Sequence, residues 1–454
     1  MKIYVGVVQC IIMERRSVRS MSNDFSINVE HLTRVEGHGN IELNVKNGKI
    51  EKLQWSVVEA PRFFEAMLRG QNYNELRPIT SRICGICSIG HSLASLKATE
   101  DALDVKITEQ TALLRRLAIN GENMQSHILH IGYLAAPDLL GVGSVFPLIG
   151  SKHNDTVLKI VKLHRLANEM SDMICGRTVH PIRLIVGGFS LLPTKKQLLA
   201  LQKRLGESKS VTKDLASVIQ SVSDKLPNFT RETEYIALSA NDEYAFYDGV
   251  LNSTDTGKFK DYKNYQTITN EYFVPHSTAK HAKHNRESYM VGALARFNLN
   301  SNQLHPGAKE VAKMFKLKAI SYNPFMNTIA QLVEFMHNIE DSIDLIDTLL
   351  DKGIKDEKPV KAKVKASRGV GLVEVPRGLL IHDYTLNSKG YCTKANCIIP
   401  TNQNHANIQL DMEKLVPEII DKPPKEIELT LEMLVRAYDP CISCSTHYLD
   451  VKFI

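Results

Sequence analysis

The chain lacks any apolar run near the ~18–20 residues that a membrane-spanning helix requires, so no helical membrane span is expected. It also lacks a strong charge of either sign. The net charge is +6 over 454 residues, with Lys and Arg scattered along the chain, which gives a nucleic-acid partner no footing. The densest basic cluster, KHAKHNR (280–286), reads as a solvated loop. No internal repeat and no low-complexity linker is present, which excludes solenoid architectures. No G-x-G-x-x-G follows a strand, so the chain carries no dinucleotide fingerprint of its own. An export signal is missing too: in MKIYVGVVQCIIM the apolar run precedes Arg15, Arg16 and Arg19 instead of following them, and no small-residue cleavage site ends it. Residues 1–20 therefore read as a disordered tail or a mis-called start, with Met21 as the alternative beginning.

What remains is ordinary globular composition, 43% apolar and 23% charged, in a chain long enough for a sizeable core. Alternating residues in INVEHLTRVEGHGNIELNVKNGKIEKLQWSVVE predict strands, and Asn47-Gly48 between two such runs predicts a type I′ hairpin. After Gly90 the period changes to that of helices. They are expected over HSLASLKATEDAL, over 108–134 with Thr108 as N-cap, over 153–175 with Gly176 as the stop, and over 195–222. The longest covers 323–352, opened by Asn323-Pro324 and closed by Gly353. Residues 229–300 and 353–410 read as loops and short strands, DKPPKE (421–426) as a stiff loop, and 427–437 as a last helix. The fold class is mainly α with small β additions (α+β): a central long-helix bundle with an N-terminal β-hairpin region.

Cysteine is sparse but patterned. Four of the eight form two Cys-x-x-Cys pairs near opposite ends, Cys84/Cys87 in RICGICSIGH and Cys441/Cys444 in DPCISCSTH. Four thiolates can close one tetrahedral soft-metal site, and structural zinc is one reading. Against it, the pairs of zinc ribbons lie closer together, and each pair here is followed by a histidine, His91 or His447. Nickel and iron suit thiolates equally. Cys10, Cys175, Cys392 and Cys397 show no iron–sulfur spacing, so the chain is expected to hold no iron–sulfur cluster.

The two pairs resemble the paired motifs of nickel–iron hydrogenase large subunits. TRVEGHGNIEL (33–43), PRFFEAMLRG (61–70), QSHILHIGYLAAPDL (125–139), GRTVHPIRLIVGG (176–188), EVPRGLLIHDY (374–384) and ANCIIPTNQN (395–404) resemble further motifs of that family, in its order. RFFE, SYMVGALAR (288–296) and VPRGLLIHDY resemble its cytoplasmic, multi-subunit, reversible branch, linked to nicotinamide, deazaflavin or viologen acceptors. The resemblance implies reversible heterolytic cleavage of dihydrogen at a nickel–iron centre whose iron carries carbon monoxide and cyanide. Cys84 and Cys441 would be terminal thiolates on nickel, with Cys87 and Cys444 bridging to iron. Arg377, beside Pro376, would border the open edge of the metals, and Thr401 would donate to a cyanide. The proton would leave through a cysteine thiolate, assigned to Cys444, to Glu36. Glu65 and His447, with the carbonyl of Cys397, would hold magnesium. His91 and His130 would orient the thiolates. An ion pair of Glu36 with Arg34, a structural ion pair of Arg377, and a satisfied core role for His130 stay open beside these roles.

Without a cluster of its own the chain would need an iron–sulfur small subunit, together with further electron-transfer subunits of diaphorase or ferredoxin-linked type. The resemblance places one large-subunit domain at 21–447, in the cytoplasm. It makes 448–454 (YLDVKFI, ending at Ile454) a C-terminal extension that a maturation protease would remove. The two rival readings are a structural zinc protein and a metal-free respiratory-complex-like subunit.

Overall fold

The computed structural model of the chain describes residues 24–446. The expectations for residues 1–20, Met21, His447 and 448–454 lie outside the described residues. Strands β1 (Phe25–Val29), β2 (Gly39–Lys46) and β3 (Lys49–Val57) form an antiparallel sheet in the order β1-β2-β3. The β2–β3 turn is Asn47-Gly48, both at positive φ (51° and 70°), as a type I′ turn demands. Between β1 and β2 the expected strand gives way to a loop that carries Glu36, with His31, Arg34 and Gly37 all at positive φ.

Helix α1 (Ser88–Leu103) starts directly after Cys87. Four long helices follow: α2 (Glu109–Leu129), α3 (Asn154–Cys175), α4 (Lys195–Gln220) and, past a shorter α5 (Ala293–Asn300), α6 (Asn327–Lys352). They pack α2 on α3, α3 on α4, α4 on α6 and α6 on α2, which makes the bundle. Thr108 caps α2 through a bond from Thr111 N, and Thr194 with Gln197 forms a capping box on α4. Gly176 ends α3 at φ 80°, and Gly353 ends α6. Past Leu129 the predicted helix widens into a π-turn over His130–Ala135.

Short strands fill the middle of the chain, the largest group being Tyr289–Met290, Glu234–Ser239, Val250–Ser253 and Gly257–Phe259. A second sheet, β4 (Ser367–Val375), β5 (Gly378–Leu386) and β6 (Cys392–Ile398), lies against α1. A Cβ on Gly369 would lie 2.1 Å from the Ala98 carbonyl oxygen, and one on Gly371 would lie 2.2 Å from that of Ala94. Only glycine lets the strand sit this close to the helix backbone.

Three stretches differ from expectation. Residues 293–300, expected as loop or short strand, form helix α5. Residues 400–410 are not short-stranded but open helix α7 (Pro400–Ile419). The loop expected at 421–426 ends early, because Pro424 takes the first position of helix α8 (Pro424–Ala437), a place where proline loses nothing.

Candidate metal centre

Cys84 sits in the turn after a short helix (Tyr73–Thr80), and Cys87 ends that turn at the start of α1. From the other end of the chain, α8 stops at Ala437. Asp439, at φ 50°, then turns the backbone so that Cys441 and Cys444 arrive beside the first pair. All four side chains are buried, and their sulfurs lie within 4.8 Å of one another. Cys84 Sγ and Cys441 Sγ are 3.5 Å apart, and Cys87 N donates to Cys84 Sγ at 3.2 Å. The chain's two ends therefore close on one pocket.

Burial pushes the Cys441 thiol well above its ordinary value and Cys444 up to about 11. At Cys87 the bond from Cys441 is outweighed by those of Cys444 and Cys84 and by burial, so it too ends well above. Burial also works against Cys84, yet Cys84 falls well below, because Cys441, Cys444 and Cys87 bond to its sulfur. One sulfur thus carries charge at the expense of three. Four thiolates this close need multivalent cations among them, and a soft donor set in a dry pocket fits nickel and iron.

Glu36 reaches this pocket from the β1–β2 loop. Its backbone bridges Cys441, its carbonyl accepts from Ile442 N (2.9 Å), and Oε2 accepts from Cys441 Sγ (3.2 Å) and Ser443 N (3.1 Å). The expected sulfur partner was Cys444; the hydrogen bond seen is with Cys441, because the backbone bridge sets the carboxylate there. A Cβ on Gly37 would stand 2.7 Å from Ser443 N, so the approach requires glycine. Arg34 gives its guanidinium to Asp138 Oδ1 (2.5 Å) and to the Leu134 carbonyl (2.6 Å). From Ser443 Oγ the contacts continue to Glu59 Oε1 (3.2 Å) and on to the exposed His38 (2.9 Å).

Arg377 occupies the two-residue tip, with Pro376, of the β4–β5 hairpin. Its Nε donates to the Asp439 carbonyl (2.6 Å), Nη2 to Asp439 Oδ1 (2.8 Å) and Nη1 to Ser126 Oγ (3.4 Å). Burial opposes its charge, but Asp439 and the sulfurs of Cys441, Cys87 and Cys84 hold its pKa above the ordinary value. The Pro376 carbonyl accepts from Arg296 Nη2 (3.0 Å). Thr401 Oγ1 accepts from Cys441 N (3.0 Å), which leaves its O–H free to donate. His91 Nδ1 meets His382 Nε2 (3.1 Å). Glu65 Oε1 accepts from Cys397 N (2.7 Å), so two of the three residues expected at magnesium are neighbours. His130 has both ring nitrogens engaged in the core, at Gln331 Oε1 (2.5 Å) and the Arg436 carbonyl (2.7 Å).

Three site residues escaped the sequence reading. Arg62 Nη2 donates to the carbonyls of Ile83 (2.6 Å) and Ser443 (2.5 Å), joining the two thiol turns. Glu122 accepts from Ile89 N (2.6 Å) and Gly90 N (2.9 Å), capping the start of α1, and burial pushes its carboxyl well above the usual range. Asp439 supports Arg377. The one sequence signal for Glu122 is the density of polar residues along a helix that is otherwise core.

A buried four-thiol centre, closed by both ends of a mainly helical chain and flanked by a carboxylate and a guanidinium, defines a metalloenzyme. Residues 62–152 and 237–447 match the family model of nickel-dependent hydrogenases, and 26–60 match a HoxL-like model. The chain belongs to the nickel-dependent hydrogenase family, and it is the catalytic subunit of a nickel–iron hydrogenase. It is 32% identical to the alpha subunit of sulfhydrogenase 1 of Pyrococcus furiosus, over 93% of this chain and 97% of that one. It is 31% identical to the corresponding chain of the F420-non-reducing hydrogenase of Methanothermobacter marburgensis, over 93% and 95% of the two chains. Its fold matches the crystal structure of an NAD+-reducing [NiFe]-hydrogenase in the H2-reduced state, with a TM-score of 0.84 and 27% identity over 93% of this chain and 99% of that chain. The first two relatives are each one component of a multi-subunit hydrogenase. Among the described residues no helix is long and apolar enough to cross a membrane.

Proposed function

We propose that Cys84, Cys87, Cys441 and Cys444 would hold a nickel–iron centre, Cys84 and Cys441 on nickel and Cys87 and Cys444 shared with an iron that would carry carbon monoxide and cyanide. When bound, that centre supplies the electrophile and electron sink at which dihydrogen splits. The chain's own residues then move the proton. Cys441 Sγ hands it to Glu36 Oε2, 3.2 Å away, and Ser443, Glu59 and His38 lead on to the surface. Arg377, fixed by Asp439, presents a cation to the open side of the sulfurs and polarises dihydrogen there. Thr401 would donate a hydrogen bond to a cyanide, and His91 steadies the first thiol turn. Glu65, the Cys397 carbonyl and His447 hold magnesium, whose preference for oxygen ligands suits the first two. Electrons pass to an iron–sulfur small subunit, then through further subunits to a soluble acceptor in the cytoplasm, and residues 448–454 are removed on maturation.

The observation that carries this reading is the Glu36 carboxylate against a ligand sulfur in the same dry pocket as Arg377. A structural zinc site has no use for either group. Elemental analysis of the purified complex is expected to give nickel and iron together, with infrared bands from carbon monoxide and cyanide. Zinc alone, or no metal, would overturn it. An intact mass ending at Ile454 in active enzyme would overturn the cleavage.

A further inference from the structure

Behind the thiol pocket, α2 and α6 face each other with polar side chains. α2 and the π-turn that continues it present Asn120, Asn123, His127 and His130, and α6 presents Asp341, Asn338, Glu334 and Gln331 at the matching steps of an antiparallel pair. Three of these four rungs are closed. Asn120 Nδ2 donates to Asp341 Oδ2 (2.6 Å), His127 Nε2 meets Glu334 Oε2 (2.8 Å), and His130 Nδ1 meets Gln331 Oε1 (2.5 Å). The remaining rung is open: Asn123 and Asn338 are fully buried, yet neither amide has a partner at nitrogen or oxygen among the described residues. His127 Nδ1, one turn from Asn123 along the helix, is also buried without a partner. Orphaned polar atoms are rare in protein interiors, and a cluster of them is the lining on which ordered water binds.

We propose that Asn123 and Asn338 bind a small cluster of ordered water, and that this water links Ser126 to solvent as a second proton outlet. Ser126 lies one turn from Asn123 on the same helix, and its Oγ accepts from Arg377 Nη1 (3.4 Å). At the far end, Asp341 Oδ1 faces Arg116 (3.3 Å) and the partly exposed His305 (3.7 Å). The Ser126 hydroxyl gives its proton to the water while it takes one from Arg377 Nη1, and the guanidinium is refilled by the proton released at the sulfurs. The water passes a proton outward along the Asp341 carboxylate to His305 and bulk. Each carrier ends as it began, and one proton has crossed. The route rests on the hydrogenase reaction proposed above but not on the Glu36 assignment.

A crystal structure of the purified enzyme, at a resolution that shows ordered water, is expected to place at least one water within hydrogen-bond distance of both amides. A dry rung, or amides closed on each other, overturns the site. For the route, Asn123→Leu/Asn338→Leu is combined with Glu36→Gln, and deuterium–proton exchange under deuterium gas is measured. The triple variant is expected to exchange about a hundredfold more slowly than Glu36→Gln alone, the low end of what losing a positioned proton carrier costs, with nickel and iron content unchanged. Equal rates overturn the route. If Glu36→Gln alone exchanges normally, the Glu36 relay is the part that fails. In that case the double leucine variant must slow exchange by itself, and a normal rate there overturns the second outlet.

Discussion

Asp439 holds Arg377 at two points: its carbonyl oxygen takes the Nε–H at 2.6 Å, and Oδ1 takes Nη2 at 2.8 Å. Both residues are about as buried as the thiols, at 3% and 2% exposure. Lysine has one nitrogen and no fork, so it cannot make both bonds and still reach Ser126. Arg377→Lys is expected to retain nickel and iron, because the four sulfurs are untouched, and to lose about a hundredfold or more in hydrogen-dependent dye reduction, the scale for removing a preorganised electrostatic group. Full activity with full metal content would show that the fork is not needed.

Glu36→Gln keeps the side-chain shape and removes the proton site. The amide can still hold Ser443 N, so the loop and the metals should stay. Exchange of protons between dihydrogen and water is expected to fall about a hundredfold, within the range for a lost proton carrier, and infrared bands of the metal ligands should keep their intensity. Unchanged exchange would remove Glu36 from the relay.

How much of this was legible in the chain depends on how local each signal is. The Asn47-Gly48 turn, the Thr108 cap and the Gly176 stop need only neighbouring residues, and these were legible in the sequence. α7 was not. Asn402, Gln403, Asn404, His405 and Asn407 are all buried, so the helix shows no apolar stripe. Their partners are distant groups: the Asn404 side chain bonds the Val291 backbone, Gln403 bonds the Leu379 carbonyl, and His405 meets the Trp55 indole, contacts invisible from sequence. The thiol pairs were conspicuous by spacing, but their meeting depends on Asp439 turning at positive φ and on Arg62 joining the turns, which no local pattern encodes.

Arg62→Ala tests that joining. One Nη2 serves both the Ile83 carbonyl before Cys84 and the Ser443 carbonyl before Cys444. Without it, two buried carbonyls lose a charged donor, at a cost of about 1–3 kcal/mol each. The variant is expected to purify with a lower nickel-to-protein ratio and a lower unfolding midpoint than the parent. Arg62→Lys should recover part of the metal content, because an ammonium can still reach one carbonyl. Parental nickel content in Arg62→Ala would mean that the two turns meet without the clamp.

His337 makes a pH-dependent prediction independent of the metals. It is 2% exposed and packs on Tyr244 with ring centroids 4.8 Å apart. Burial lowers its pKa to about 4, against about 6.5 in an unfolded chain. Because the folded value is the lower one, protons bind the unfolded chain first. The contribution is intact above pH ~6.5 and is lost as the pH falls from there to about 4, by roughly 3 kcal/mol in all. His305, whose pKa Asp341 raises, gains its stabilisation as the pH falls to about 6.5 and keeps it below, so it acts above this interval and does not offset the loss. His337→Gln removes the titrating ring, so its unfolding midpoint should change less than the parent's between pH 7 and pH 4.5. Parallel curves for the two proteins would show that His337 does not change charge in that interval.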